Sequence, residues 1–142
     1  MGNSLSSIQK INFEDIQYTM KNPESYLLIN TLNDSEQDCL IPNTIPASNE
    51  ERIVNETIKN GAKNRRIVII YGKNANDEKI YTKYNQLQSL GFYQVYIYTG
   101  GMFEWLLLQD VYGSQEFPTT KKELDLLKFK PNKVLNVTLL EY

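Results

Sequence analysis

Few side chains in this sequence can do chemistry. There is no histidine among the 142 residues. That removes the usual general base, the usual zinc ligand and every Ser-His or Cys-His pair. Cys39 is the only cysteine, so no intrachain disulfide can form, which suits a reducing compartment. It is the one thiol nucleophile, but its neighbour is Asp38 rather than a cation, which argues against an activated thiolate. The acidic run Asn33-Asp34-Ser35-Glu36-Gln37-Asp38 suggests calcium. An EF-hand loop needs glycine at its sixth position and glutamate at its twelfth. Asp38 and Thr44 stand there, so no metal is expected.

Two further segments carry chemistry. The first is the polar loop Gly72, Lys73, Asn74, Ala75, Asn76, Asp77, placed between an apolar run and a helical pattern. A loop entering a helix presents backbone N–H groups that favour an anion. Lys73 adds to this, whereas Asp77 and Glu78 already complement the helix dipole and repel an incoming anion. Each such effect is worth about 0.3–1 kcal/mol at a surface. Two carboxylates against one lysine weigh against an anion site. The second segment is Met1-Gly2-Asn3-Ser4-Leu5-Ser6, which matches M-G-x-x-x-[ST] and marks Gly2 for N-myristoylation. One acyl chain binds membranes marginally, with an association constant of about 10⁴ M⁻¹. Lys10 is the only nearby cation, so reversible membrane contact is expected.

These segments need a scaffold, and the periodicities describe one. Asn12 caps a helix from Phe13, with Asp15 in its first turn. Tyr26 to Ile29 reads as a buried strand. Ser48-Asn49-Glu50-Glu51 reads as a capping box opening a helix that closes at Asn60-Gly61. Ile67 to Tyr71 is apolar on both faces, as in a central parallel strand. A helix from about Asp77 to Gly91, a strand from Gln94 to Tyr98 and an apolar helix from Met102 to Gln109 follow. Alternating strands and helices predict an α/β fold with a central parallel sheet wrapped on both faces. Thr119 to Leu127 is predicted as a last helix, and Val134 to Leu140 as an added strand or arm. The organisation expected is a flexible tail over 1–10, a domain over 11–113 and a C-terminal extension over 114–142. Trp105 and its apolar neighbours are expected to pack on the sheet and the extension, or else to line a partner groove. Tyr93, Tyr96 and Tyr98 are candidates for a recognition surface.

The order of elements and four local motifs resemble the rhodanese-like family over roughly residues 11–112. They are Tyr26 to Asn30, Cys39-Leu40-Ile41-Pro42-Asn43-Thr44-Ile45-Pro46, Ile67 to Glu78, and Gly100-Gly101-Met102-Phe103-Glu104-Trp105. The resemblance implies that a cysteine carrying the transferred sulfur should follow the central strand. Gly72 stands there, and glycine has no nucleophile. Cys39 falls at the start of the second motif, Asn30 replaces an aspartate, and Asp77 and Glu78 stand near an expected arginine. The resemblance thus implies a member without the catalytic cysteine, a pseudoenzyme of the sulfurtransferase class.

The function expected is a non-catalytic binding or scaffold module with an unidentified protein partner and no cofactor, tethered through Gly2. The alternatives are an enzyme, sulfurtransferase or phosphatase-like, using Cys39 or unconventional chemistry, and a structural or assembly protein. A net charge of -2 offers no field for nucleic acid. No apolar run is long enough to span a membrane and no signal peptide is evident, so the sequons at Asn33, Asn55 and Asn136 read as chance. The expected place is the cytoplasm, including the cytoplasmic face of a membrane, in a eukaryotic cell or a virus infecting one.

Overall fold

The run Ile67–Tyr71 forms the central strand, because both its faces are apolar and both are covered. In the computed structural model, which describes residues 8–63 and 65–135, five strands form one sheet. They are β1 (Gln9–Ile11), β2 (Tyr26–Asn30), β3 (Thr44–Ile45), β4 (Ile67–Tyr71) and β5 (Val95–Tyr98). Their order is β1-β5-β4-β2-β3, and every pairing is parallel. The helices are α1 (Phe13–Met20), α2 (Ala47–Lys59), α3 (Lys79–Ser89) and α4 (Gly101–Tyr112).

Strand alternation sorts the core into two layers. Leu28, Ile69 and Tyr71 meet Ile16 of α1 and Met102, Trp105 and Leu106 of α4, together with Phe117 and Phe129. Leu27, Ile29, Val68 and Ile70 meet Val54 of α2 and Ile80, Tyr84 and Leu87 of α3. The expected α/β architecture, wrapped on both faces, is the one observed. Asn12 caps α1 as expected, its Oδ1 accepting from the N–H groups of Glu14 and Asp15 at 2.9 and 3.2 Å. Asp15 Oδ2 returns the bond to the N–H of Asn12 at 3.1 Å. Gly61, at φ 71°, closes α2, and the N–H of Ala62 reaches back to the carbonyl of Thr57 at 2.9 Å.

Four local expectations differ, and a fifth lies mostly outside the described residues. Ser48 caps nothing: α2 begins at Ala47 after Pro46, and the Ala47 N–H donates to Gln37 Oε1 at 2.9 Å. A distant amide caps this helix, which starts two residues early. Gln9 and Lys10, assigned to the tail, pair with Tyr96 and Ile97 as the edge strand β1. Residues 119–127 do not form an α-helix. Thr120 instead pairs with the second motif, its N–H donating to the Leu40 carbonyl at 2.8 Å and its Oγ1 accepting from the Leu40 N–H at 3.0 Å. A tertiary ladder outweighs local helix propensity there, and only a 3₁₀ turn at Leu126–Phe129 forms. Val134 and Leu135 are exposed and lie in no strand; residues 136–140 of that expected arm lie outside the described residues. Tyr98, a candidate for the surface, is fully buried, whereas Tyr93 is 74% exposed.

Candidate functional site

The carboxyl ends of β2 and β4 bring Asn30, Thr31 and Gly72 together at one rim of the sheet, the usual place for a ligand in such folds. The loop after β4 is built around Asp77. Its Oδ2 accepts from the Lys73 N–H and from Thr31 Oγ1, each at 3.0 Å. Its Oδ1 accepts from the Lys79 N–H at 3.0 Å. Asn74 closes the turn, its Oδ1 accepting from the Asn76 N–H at 2.9 Å and its carbonyl from the Asp77 N–H at 3.1 Å. Donors that such a loop could turn toward an anion are thus occupied by the chain's own oxygens. Asp77 does not merely repel an anion from the helix start, as its sequence position suggests; it takes an anion's place.

Gly72 is buried at the centre of this arrangement. A Cβ built there collides with Asp77 Oδ2 and stands 2.6 Å from Thr31 Oγ1. The carbonyls of Gly72 and Lys73 accept from the N–H groups of Met102 and Phe103, both at 2.9 Å, so the loop caps α4. Close approach demands glycine at position 101, which has φ 65°; a Cβ there would lie 2.6 Å from the Gly72 carbonyl oxygen. Lys73 turns its ammonium to the buried Glu36, 3.2 Å away. Ala75 and Asn76 face solvent. From the far end of the chain, the Phe129 carbonyl accepts from Asn74 Nδ2 at 2.9 Å. Lys130 and Val134 flank a hollow of about 460 Å³ above Lys73 and Asp77.

Asn30 is structural. Its Oδ1 accepts from the Leu32 N–H and Gln37 Nε2, each at 2.9 Å, and its Nδ2 donates to Gln37 Oε1 and the Ile45 carbonyl. An aspartate could not make the last two bonds. Gln37, which the sequence does not single out, thereby joins the β2 end to the α2 start. Cys39 is not at the loop centre. It is buried, and its thiol donates to the Lys121 carbonyl at 3.2 Å under the extension. Burial pushes the thiol pKa up. Trp105 packs as expected, fully buried with its indole N–H on the Pro118 carbonyl at 2.8 Å.

A larger groove of about 960 Å³ runs between α2 and α3 over Val54 and Leu87. It is bridged by Lys83 and Glu50 at 2.6 Å. Among the described residues no group of three acidic or cysteine side chains is placed to hold a metal, and no helix is long and apolar enough to cross a membrane. Gly2 lies outside the described residues.

The sequence pattern of the rhodanese-like domain matches residues 15–108. No curated protein resembles the chain closely enough to count as a relative. Among solved structures, a Bacillus halodurans protein is similar with a TM-score of 0.57 at 19% identity, over 79% of each chain. An Anabaena protein is similar with a TM-score of 0.54 at 20% identity, over 83% of this chain and 86% of its own. A thiosulfate sulfurtransferase from Pseudomonas aeruginosa is similar with a TM-score of 0.57 at 15% identity, over 74% of this chain but only 20% of its own. At these identities the structural likeness carries the fold alone. The family pattern spans most of the chain and covers the loop at Gly72, so the chain belongs to the rhodanese-like domain family.

Proposed function

We propose that the protein is a non-catalytic rhodanese-like binding or scaffold module, brought to the cytoplasmic face of a membrane by an acyl chain on Gly2. The carrying observation is the Asp77 carboxylate at the centre of the loop after β4, bonded to the Lys73 and Lys79 N–H groups and to Thr31 Oγ1. Gly72, in the position the family resemblance assigns to the nucleophile, supplies none. An anionic sulfur donor would meet a carboxylate where it needs N–H donors.

A thiosulfate sulfurtransferase assay on the purified protein tests the first half. The expected result is turnover indistinguishable from buffer. Turnover that persists in Cys39→Ser would overturn the reading outright, and turnover lost in Cys39→Ser would make this buried thiol the nucleophile. Cell fractionation with acyl labelling tests the second half. Gly2→Ala should abolish the label and shift the protein to the soluble fraction; unchanged label and distribution would remove the lipid.

A further inference from the structure

α4 carries apolar residues all the way round, the pattern of a helix covered on every side. Only one side is covered: Met102, Trp105 and Leu106 are buried against the sheet. Phe103, Leu107 and Val111 recur every four residues and so share the other side. Phe103 is half-buried, Leu107 is 40% exposed and Val111 is 70% exposed. The stripe they form is straight and about 12 Å long. Tyr112, 66% exposed, extends it at the carboxyl end, its ring tilted on Phe117 at 6.1 Å.

The charge around this stripe has one sign. No lysine or arginine occurs between residues 84 and 120, nor within α1, the neighbouring helix on this side of the sheet. α4 contributes Glu104 and Asp110, the turn after it Glu116, and α1 Glu14 and Asp15. None of these five carboxylates is in an ion pair among the described residues. Glu104 turns back over Gly100, and the other four are exposed. α1 is joined to the Tyr112 end of the stripe. Phe13 packs on Phe117 at 5.6 Å, and Gln17 Nε2 donates to the Glu116 carbonyl at 2.9 Å. On the other flank, a hollow of about 600 Å³ beside Asp110 holds Lys122 next to Glu123, which adds no net charge.

We infer that the outer face of α4 docks a basic amphipathic helix of a partner protein, with apolar residues on one side and lysine or arginine flanking them. The inference rests on the binding-module half of the proposed function and names the partner's chemistry. A straight apolar stripe on a helix is matched by the apolar side of a second helix, ridge into groove. Carboxylates without partners at the rim select cations on that helix and repel acidic ones. The same rim disfavours two other occupants. A second copy of the chain would set Asp110 and Glu116 against their own equivalents, and an anionic membrane would meet them with like charge.

The test uses the full chain and two synthetic amphipathic peptides of about 16 residues. One has a leucine side flanked by lysines; the other has glutamates in place of the lysines. Methyl and aromatic NMR should show the lysine peptide shifting Leu107, Val111, Phe103 and Tyr112 and sparing Leu87 and Leu90 on the opposite face. The glutamate peptide should shift nothing. Asp110→Lys with Glu116→Lys should weaken the lysine peptide about tenfold, as should Val111→Lys alone. Glu51→Lys with Glu56→Lys, an equal charge change on the far side of the sheet, should leave it unaltered. No binding, equal binding of both peptides, shifts elsewhere, or equal loss in the Glu51 and Glu56 pair would each overturn the docking face. So would sedimentation showing a dimer of the wild type that Val111→Lys dissociates. Sulfur transfer in the thiosulfate assay would end the non-catalytic reading and leave these shifts where they are, whereas absent binding without turnover ends the docking face alone. Should a variant fail to fold, the wild-type spectra with the two peptides still decide.

Discussion

Gly72 and Asp77 act as a pair. A side chain at position 72 and a carboxylate from position 77 cannot share one space. Gly72→Cys should therefore lower stability by about 1–3 kcal/mol, the usual cost of overpacking, and should not create sulfur transfer. Urea denaturation and the thiosulfate assay check both points. Asp77→Asn keeps the shape but turns one oxygen into a donor facing other donors, the Lys73 or Lys79 N–H. It should cost about 1–3 kcal/mol, read as a lower urea midpoint at unchanged slope. Cys39 offers a third residue-scale test. Burial both shields its sulfur and pushes its pKa up, so iodoacetamide should modify it at least about tenfold more slowly than a free thiol. Denaturation should restore the ordinary rate.

At the scale of elements, the C-terminal extension is part of the core. Phe129 and Phe117 are buried with Trp105 on the α4 face, and Trp105 and Phe117 stack edge to face at 5.0 Å. Residues 117–129 also hold Leu40, Cys39 and Asn74 through backbone or side-chain bonds. Phe129→Ala should cost about 3–5 kcal/mol; it keeps the backbone carbonyl that Asn74 bonds but removes the ring that anchors it, and so should loosen the loop at Gly72. Thermal denaturation measures the first effect, and hydrogen exchange at the Asn76 and Asp77 amides the second. A truncation after Gly113 would expose this layer and should yield protein that aggregates or fails to fold.

Over the whole molecule, pH dependence follows from which groups the fold buries. With no histidine, no side chain has an ordinary pKa between about 6 and 8, so stability should be nearly flat there. Burial raises the pKa of the Cys39 thiol and of the Tyr71 and Tyr98 hydroxyls. A raised pKa means that the folded state holds the proton more tightly than the unfolded chain. The contribution is complete below the unfolded values, about 8.5 for cysteine and 10 for tyrosine, and is lost as pH rises through the folded ones. Urea midpoints should accordingly hold constant from pH 6 to 8 and fall above about pH 9.

The strand and helix order, the two-sided wrapping and the apolar role of Trp105 were legible in the sequence. They follow from short-range patterns: unbroken β-branched runs, 3.6-residue spacing, and glycine where φ is positive. That Gly72, in the loop after β4, offers no nucleophile of its own was legible too, because glycine has no functional group. The role of Asp77 was not. Its distance along the chain from Gly72 shows a charge near a helix start, and only the turn of the loop sets its oxygens on Thr31 and Lys73. The same holds for Gln37 capping α2 and for Thr120 pairing with Leu40, 80 residues away. Local propensity predicted a serine cap and a last helix at those places. Hydrogen bonds from distant chain overrode both, because a backbone group is satisfied by whichever partner the folded chain places beside it.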